Sequence, residues 1–132
     1  MRVENKRAKF PTEARLHSHS EFQAVLNGKI LSRGIFFSVK AADPVCAIKK
    51  SQSNSRLGLV FSKKFAHKAV VRNLIKRIIR ESFRKNRHIM PINDYVVRLH
   101  SKITITSLIE IKKIAAIEIN NHFYKISRCK TY

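Results

Sequence analysis

The feature that most restricts this chain is the stretch 63–87. It holds ten basic residues, Lys63, Lys64, Lys68, Arg72, Lys76, Arg77, Arg80, Arg84, Lys85 and Arg87, and one acid, Glu81. From about Ala69 to Arg87 the pattern is helical. At about 100° per residue, Arg72, Lys76, Arg80 and Arg84 advance round one side in steps of about 40°. Asn73 and Arg77 flank them. Val71, Leu74, Ile75, Ile78 and Ile79 take the opposite arc, with Phe83 at its edge. Like charges four residues apart destabilise a helix by a few tenths of a kcal/mol per pair, and a solvated helix face ordinarily mixes signs. A one-sign face backed by an apolar one therefore predicts a helix docked on a core and displaying its charges outward. Guanidinium groups so spaced grip phosphates bidentately. Glu81, at the margin, is placed to hold one arginine.

The whole chain agrees with that reading. Its 132 residues suit one domain, and 28 Lys+Arg against 8 Asp+Glu leave a net charge of +20. Such an excess calls for a polyanion, either nucleic acid or an anionic membrane. No apolar run approaches the roughly 18 residues that span a bilayer. The charged start, Met1 to Arg7, lacks the apolar segment of a secretory signal. The expectation is a cytoplasmic protein that does not enter membranes. Cys46 and Cys129 lie far apart and suggest two free thiols. Six scattered histidines and no CxxC pair argue against a zinc site. Glycine is too scarce for a phosphate-cradling loop. Glu4, Glu13, Glu21, Asp43, Glu81, Asp94, Glu110 and Glu118 are dispersed, whereas a protein nuclease would cluster carboxylates around Mg²⁺.

Along the chain, residues 1–15 form a basic arm containing Pro11. Ser18 to Glu21 has capping-box spacing, Gly28 suits a helix C-terminus, and Phe22, Val25 and Leu26 make an apolar stripe between them. A short strand from residue 29 breaks at Arg33-Gly34. A longer one, Ile35 to Ala42, puts Ile35, Phe37 and Val39 on one face and Phe36, Ser38 and Lys40 on the other. Residues 43–55 read as a polar loop around an ambiguous patch, Val45 to Ile48. Arg56 to Lys63 is a third strand, placing Leu57, Leu59 and Phe61 on one face with Lys63. After the basic helix and Pro91 comes a fourth strand, Asp94 to His100. Ser107 and Glu110 form a second capping box, opening a helix to about Ile126 with Leu108, Ile111, Ile114, Ala115 and Phe123 apolar. Residues 127–132 are a tail. A strand, a long helix and another strand predict a parallel pair joined by that helix.

The segment from Phe61 to Arg84 resembles the signature of the bacterial ribonuclease P protein family. That pattern is a strand ending in Ser-Lys-Lys, a short connector, an Arg-Asn pair, then Lys-Arg and Arg-Glu. Ser62, Lys63, Lys64, Ala69, Val70, Arg72, Asn73, Lys76, Arg77, Arg80 and Glu81 all match it. Glu21 to Gly28 is similar to the family's first helix, Arg56 to Leu59 to its central strand, and Met90 to Val97 to the turn and strand after the basic helix. The likeness spans about residues 16–126. Leu74 stands where the family often has arginine, and Leu26 where it often has phenylalanine. The 43–55 loop is longer than in many members, and the stretch after His100 has few landmarks.

The resemblance implies an α/β (α+β) two-layer sandwich of order α-β-β-β-α-β-α, with a four-stranded sheet and a left-handed crossover. General rules would favour the right-handed one. It implies a protein subunit that helps a catalytic RNA remove the 5′ leader of precursor tRNA. No protein residue would be catalytic, and Mg²⁺ would be bound mainly by the RNA. Its partners would be that RNA and precursor tRNA, and the isolated chain would be a monomer. Arg72, Asn73, Lys76, Arg77, Arg80, Arg84 and Lys68 would face the catalytic RNA. Phe22, Phe37, Val39, Lys63 and Lys64 would line a cleft for the single-stranded leader, rings stacking on bases and lysines neutralising phosphates. Ordinary core packing is the competing reading for Phe22, Phe37 and Val39. Other readings of the charge are a structural RNA-binding protein, a DNA-binding helix protein and a self-sufficient nuclease. The helix-turn-helix pair of the second is missing. If about six phosphates are neutralised, log K for RNA should fall with log[salt] at a slope of about −4 to −5. A filter-binding titration across salt concentrations measures it, and a slope near zero would contradict the ridge.

Overall fold

The computed structural model describes residues 15–16, 19–41 and 55–128. The first residues of the arm, Ser18, most of the 43–55 loop with its Val45 to Ile48 patch, both cysteines and residues 129–132 lie outside the described residues. The elements are α1 (His19–Leu26), β1 (Lys29–Arg33), β2 (Phe37–Ala41), β3 (Arg56–Val60), α2 (Ala69–Asn86), β4 (Asp94–Leu99) and α3 (Leu108–Arg128). The sheet order is β1-β2-β4-β3. β1 and β4 run antiparallel to β2, and β3 runs parallel to β4 with α2 as the connection. The expected order of elements and the parallel pair are both present.

Strand alternation divides the sheet. Phe37, Val39, Ala41, Leu57, Tyr95, Val97 and Leu99 project towards α2 and α3 and form the main core with Ile75, Ile79, Phe83, Ile119 and Phe123. Phe83 sits at its centre, with ring centroids 6.3 Å from Tyr95 and 5.7 Å from Phe123 in edge-on geometry. On the other face, Val96 meets Leu16 and Val25, with Phe22, Leu26 and Val60 packed around them. α1 is held there by Arg56. That guanidinium donates to both oxygens of Asp94, at 2.9 and 2.8 Å, and to Glu21 at 2.9 Å. These carboxylates raise its pKa, the Asp94 hydrogen bond foremost. Glu21, expected in a capping box, is thus drawn to the sheet.

Several boundaries move. β2 begins at Phe37 rather than Ile35, and Ile35 is 76% exposed. The cause is Glu118, whose carboxylate accepts the amides of Phe36 at 3.1 Å and Phe37 at 2.9 Å, fixing a turn there. His122 lies 2.9 Å from the same carboxylate through Nε2 and 2.6 Å from the Ser32 hydroxyl through Nδ1. A Cβ on Gly34 would run into the Glu118 carboxylate, so a larger residue there would push that carboxylate away from the turn amides. β3 stops at Val60, which leaves Lys63 in a turn outside the strand. α3 runs to Arg128, two residues beyond its expected end. Its buried stripe is Ile111, Ala115, Ile119, His122, Phe123 and Ile126, whereas Leu108 and Ile114 are partly exposed. The Ser107 hydroxyl accepts the Glu110 amide at 3.4 Å, half of the expected capping box.

Burial alone would raise the Glu118 pKa. The hydrogen bonds from His122 and the Phe37 and Phe36 amides outweigh it and hold the carboxyl below its ordinary range. A depressed carboxylate stabilises the fold above the unfolded-state pKa, and that contribution disappears as pH falls through the folded-state value. Glu118→Gln should lower the unfolding free energy by about 1–3 kcal/mol at neutral pH. The gap from wild type should begin to narrow once the pH falls below the ordinary carboxyl range, and close only further into acid. Urea denaturation across pH checks this, and a pH-independent gap would contradict it.

Candidate nucleic-acid interface

α2 forms because its apolar stripe has a core to enter. Ile75, Ile79, Ser82 and Phe83 are buried. Three like-charged pairs, Arg72/Lys76, Lys76/Arg80 and Arg80/Arg84, cost together about 1 kcal/mol. Burying Ile75, Ile79 and Phe83 contributes about 1.5–3 kcal/mol each. Docking therefore wins, and the basic arc is turned outward.

The arc has two sides. Arg72, Lys76 and Arg80 lie towards the β3 edge. The Arg72 guanidinium donates to the carbonyls of Ala66 and His67, both at 2.8 Å, tying the β3–α2 connector to the helix. Lys76 stands over the Phe61 ring at 5.9 Å. Burial and then the charge of Arg15 lower the pKa of Arg80. An anion beside Arg80 would offset the repulsion from Arg15. On the other side Asn73 and Arg77 share a shallow groove with Val70, Leu74 and Lys112 of α3. The groove reaches Leu74 and runs on to Leu108 and Ile109 of α3.

Arg84 is less available than its spacing suggests. It is paired with Glu81 at 2.6 Å, and that hydrogen bond raises its pKa. Glu81 also lies 3.9 Å from Lys85. The expectation that Glu81 holds one arginine is met by Arg84.

The cleft residues separate. Phe22 lies on the α1 face, its ring so close to β3 that a Cβ on Gly58 would stand 2.5 Å from it. Phe37 and Val39, at 1% and 0% exposure, point to the opposite face beneath α2 and α3. They are core, and the cleft expectation for them is corrected. The registers put Ser38, Lys40 and Arg98 on the α1 face instead. Lys40 donates to the Leu26 carbonyl at 2.9 Å, anchoring the end of α1. Strand periodicity correctly separated the two sets of β2 residues. It could not say which set α1 would cover. The signal available was apolarity: α2 and α3 offer far more apolar surface, so they claim the Phe37–Val39 face. Lys63 and Lys64 line a depression with Lys68 at the start of α2, away from this face.

Similarity to known proteins bears on this geometry. The ribonuclease P family pattern matches residues 10–126. The chain belongs to the ribonuclease P protein family. The ribonuclease P protein component of Bordetella parapertussis is 51% identical over 122 residues, covering 92% of this chain and 98% of that one. That of Azoarcus sp. is 40% identical over 93 residues, 70% of this chain and 72% of the other. Among solved structures, the Staphylococcus aureus RNase P protein superposes with a TM-score of 0.65 at 25% identity, covering 87% of this chain and 98% of that one. The Thermotoga maritima RNase P protein, solved with 1-(4-fluorophenyl)-2-thiourea, gives 0.65 at 28% identity, covering 88% and 100%. These relatives share the α+β fold, so the family assignment and the architecture agree. No helix among the described residues is long and apolar enough to cross a membrane.

Within this family member, Arg72 and Arg77 sit in different surroundings. Arg72→Met should lower the unfolding free energy by about 1–3 kcal/mol through its two lost carbonyl bonds. Arg77→Met, on an exposed site, should change it by no more than about 0.5 kcal/mol. Urea titrations of both variants test the division, and equal effects would contradict it.

Proposed function

We propose that the chain is the RNA-binding protein subunit of a ribonuclease P ribonucleoprotein, acting on the 5′ leader of precursor tRNA. The observation that carries this is the outward ridge of α2, joined to membership of the family. Arg72, Asn73, Lys76, Arg77 and Arg80 would engage the phosphates of the catalytic RNA. Lys68 would extend that contact at the start of α2, and Arg84 would contribute less, being shared with Glu81.

The leader would lie on the α1 face of the sheet. Phe22 offers a ring for a base, while Lys40, Arg98 and Arg33 supply charge beside it. This track takes the place of the expected Phe37 and Val39. Hydrolysis would be carried out by the RNA with its Mg²⁺. Four of the five described carboxylates have structural partners, in keeping with that division of labour. Glu21 and Asp94 hold Arg56, Glu81 holds Arg84, and Glu118 holds a turn. The protein's task would be to raise leader affinity and neutralise the crowded phosphates of the assembled RNA, as a monomer in the cytoplasm.

The test is cleavage of precursor tRNA at low Mg²⁺ by a bacterial ribonuclease P RNA with and without the protein. Strong stimulation at the mature 5′ end is expected, and Arg77→Glu should reduce it at least tenfold with stability retained. Binding without stimulation would favour a purely structural RNA-binding role. Specific cleavage by the protein alone would overturn the reading.

A further inference from the structure

Opposite the β3–α2 connector runs the linker from β4 to α3. The Ile103 amide donates to the Phe65 carbonyl at 2.9 Å, so connector and linker are fastened together. Between them lies a depression of about 430 Å³. Lys63, Lys64 and Lys68 line it from the connector side and Lys102 from the linker, with no acid among the described residues of its wall. Among the described residues none of these four ammonium groups is paired with a carboxylate. Its apolar part is Val71, Ile103 and Ile105, and Thr104 and Thr106 add hydroxyls.

Four like charges converging on one concavity repel each other unless an anion enters. An anion alone would not need the apolar patch. Volume, patch and rim together suit one small planar apolar group joined to phosphates. We infer that this depression receives a single unpaired nucleotide of an RNA strand, its base against Ile103, Ile105 and Val71 and its flanking phosphates on Lys63, Lys68 and Lys102. The inference rests on the reading of the chain as an RNA-binding subunit and adds a pocket beyond the α2 ridge. Arg72 acts here as a positioning residue, because its bonds to the Ala66 and His67 carbonyls hold the connector wall in place. Lys64, already 5.3 Å from the centre of the Phe65 ring, supplies general charge at the rim.

The experiment is a methyl NMR titration of the full chain with three probes: a short single-stranded oligoribonucleotide, an abasic strand of equal length and a free nucleoside monophosphate. The base-containing strand should move the methyl signals of Val71, Ile103 and Ile105, and the abasic strand should leave them in place. Lys102→Glu, at an exposed position, should weaken the oligoribonucleotide by about fivefold or more. The free monophosphate moving the same methyls at higher concentration would support the pocket and show that it does not require a strand. Equal shifts from the abasic strand, or an unchanged affinity for Lys102→Glu, would overturn the inference. None of these arms uses the catalytic RNA. Intact methyl shifts with no stimulation of cleavage would therefore remove the subunit reading and leave the pocket.

Discussion

The burial of Phe83 against Tyr95 and Phe123 is the contact on which the rest of the structure depends. α2 carries charges that repel one another along its length, and alone it would be a poor helix. With Ile75, Ile79 and Phe83 sunk into the core, its orientation is fixed. The basic arc then has one direction to face. The same contact joins α2 to β4 and α3, so the parallel β3–β4 pair, its connecting helix and the covering helix form one unit.

Two polar devices complete the frame. Arg56 draws α1 to the sheet through Glu21 and Asp94, and Glu118 with His122 fixes the turn from β1 to β2. Each uses a carboxylate for architecture. In a chain with only eight acids this matters, because those found among the described residues are largely committed to holding cations or amides in place. The positive field that remains is little neutralised from within, and among the described residues it is densest on α2 and the connector before it.

Much of this was legible in the sequence because the signals were periodic. The 3.6-residue pattern of α2 separated Ile75 and Ile79 from Arg77 and Arg80, and the element order and the parallel pair followed. What escaped were matters of long-range partnership. Phe37 and Val39 alternate correctly with Ser38 and Lys40, but a strand does not state which helix covers which face. Glu118 looked like one scattered acid, since its partners Phe36 and Phe37 lie more than 80 positions away. Glu21 had capping-box spacing and was claimed by Arg56. Lys102 carried no signal at all, because its meaning depends on the Ile103–Phe65 bond that brings two loops together.

The proposed placement of the outward arc of α2 against the catalytic RNA, with the exposed Ile117 on α3 as the contrasting position, underlies the whole reading. It is tested most directly by tethered hydroxyl-radical probing of the assembled ribonucleoprotein, with an iron chelate on Asn73→Cys or Ile117→Cys in a chain whose native cysteines are replaced by serine. Strong, localised strand scission of the catalytic RNA is expected from position 73 and little from position 117. Equal scission from both, or scission confined to position 117, would contradict it.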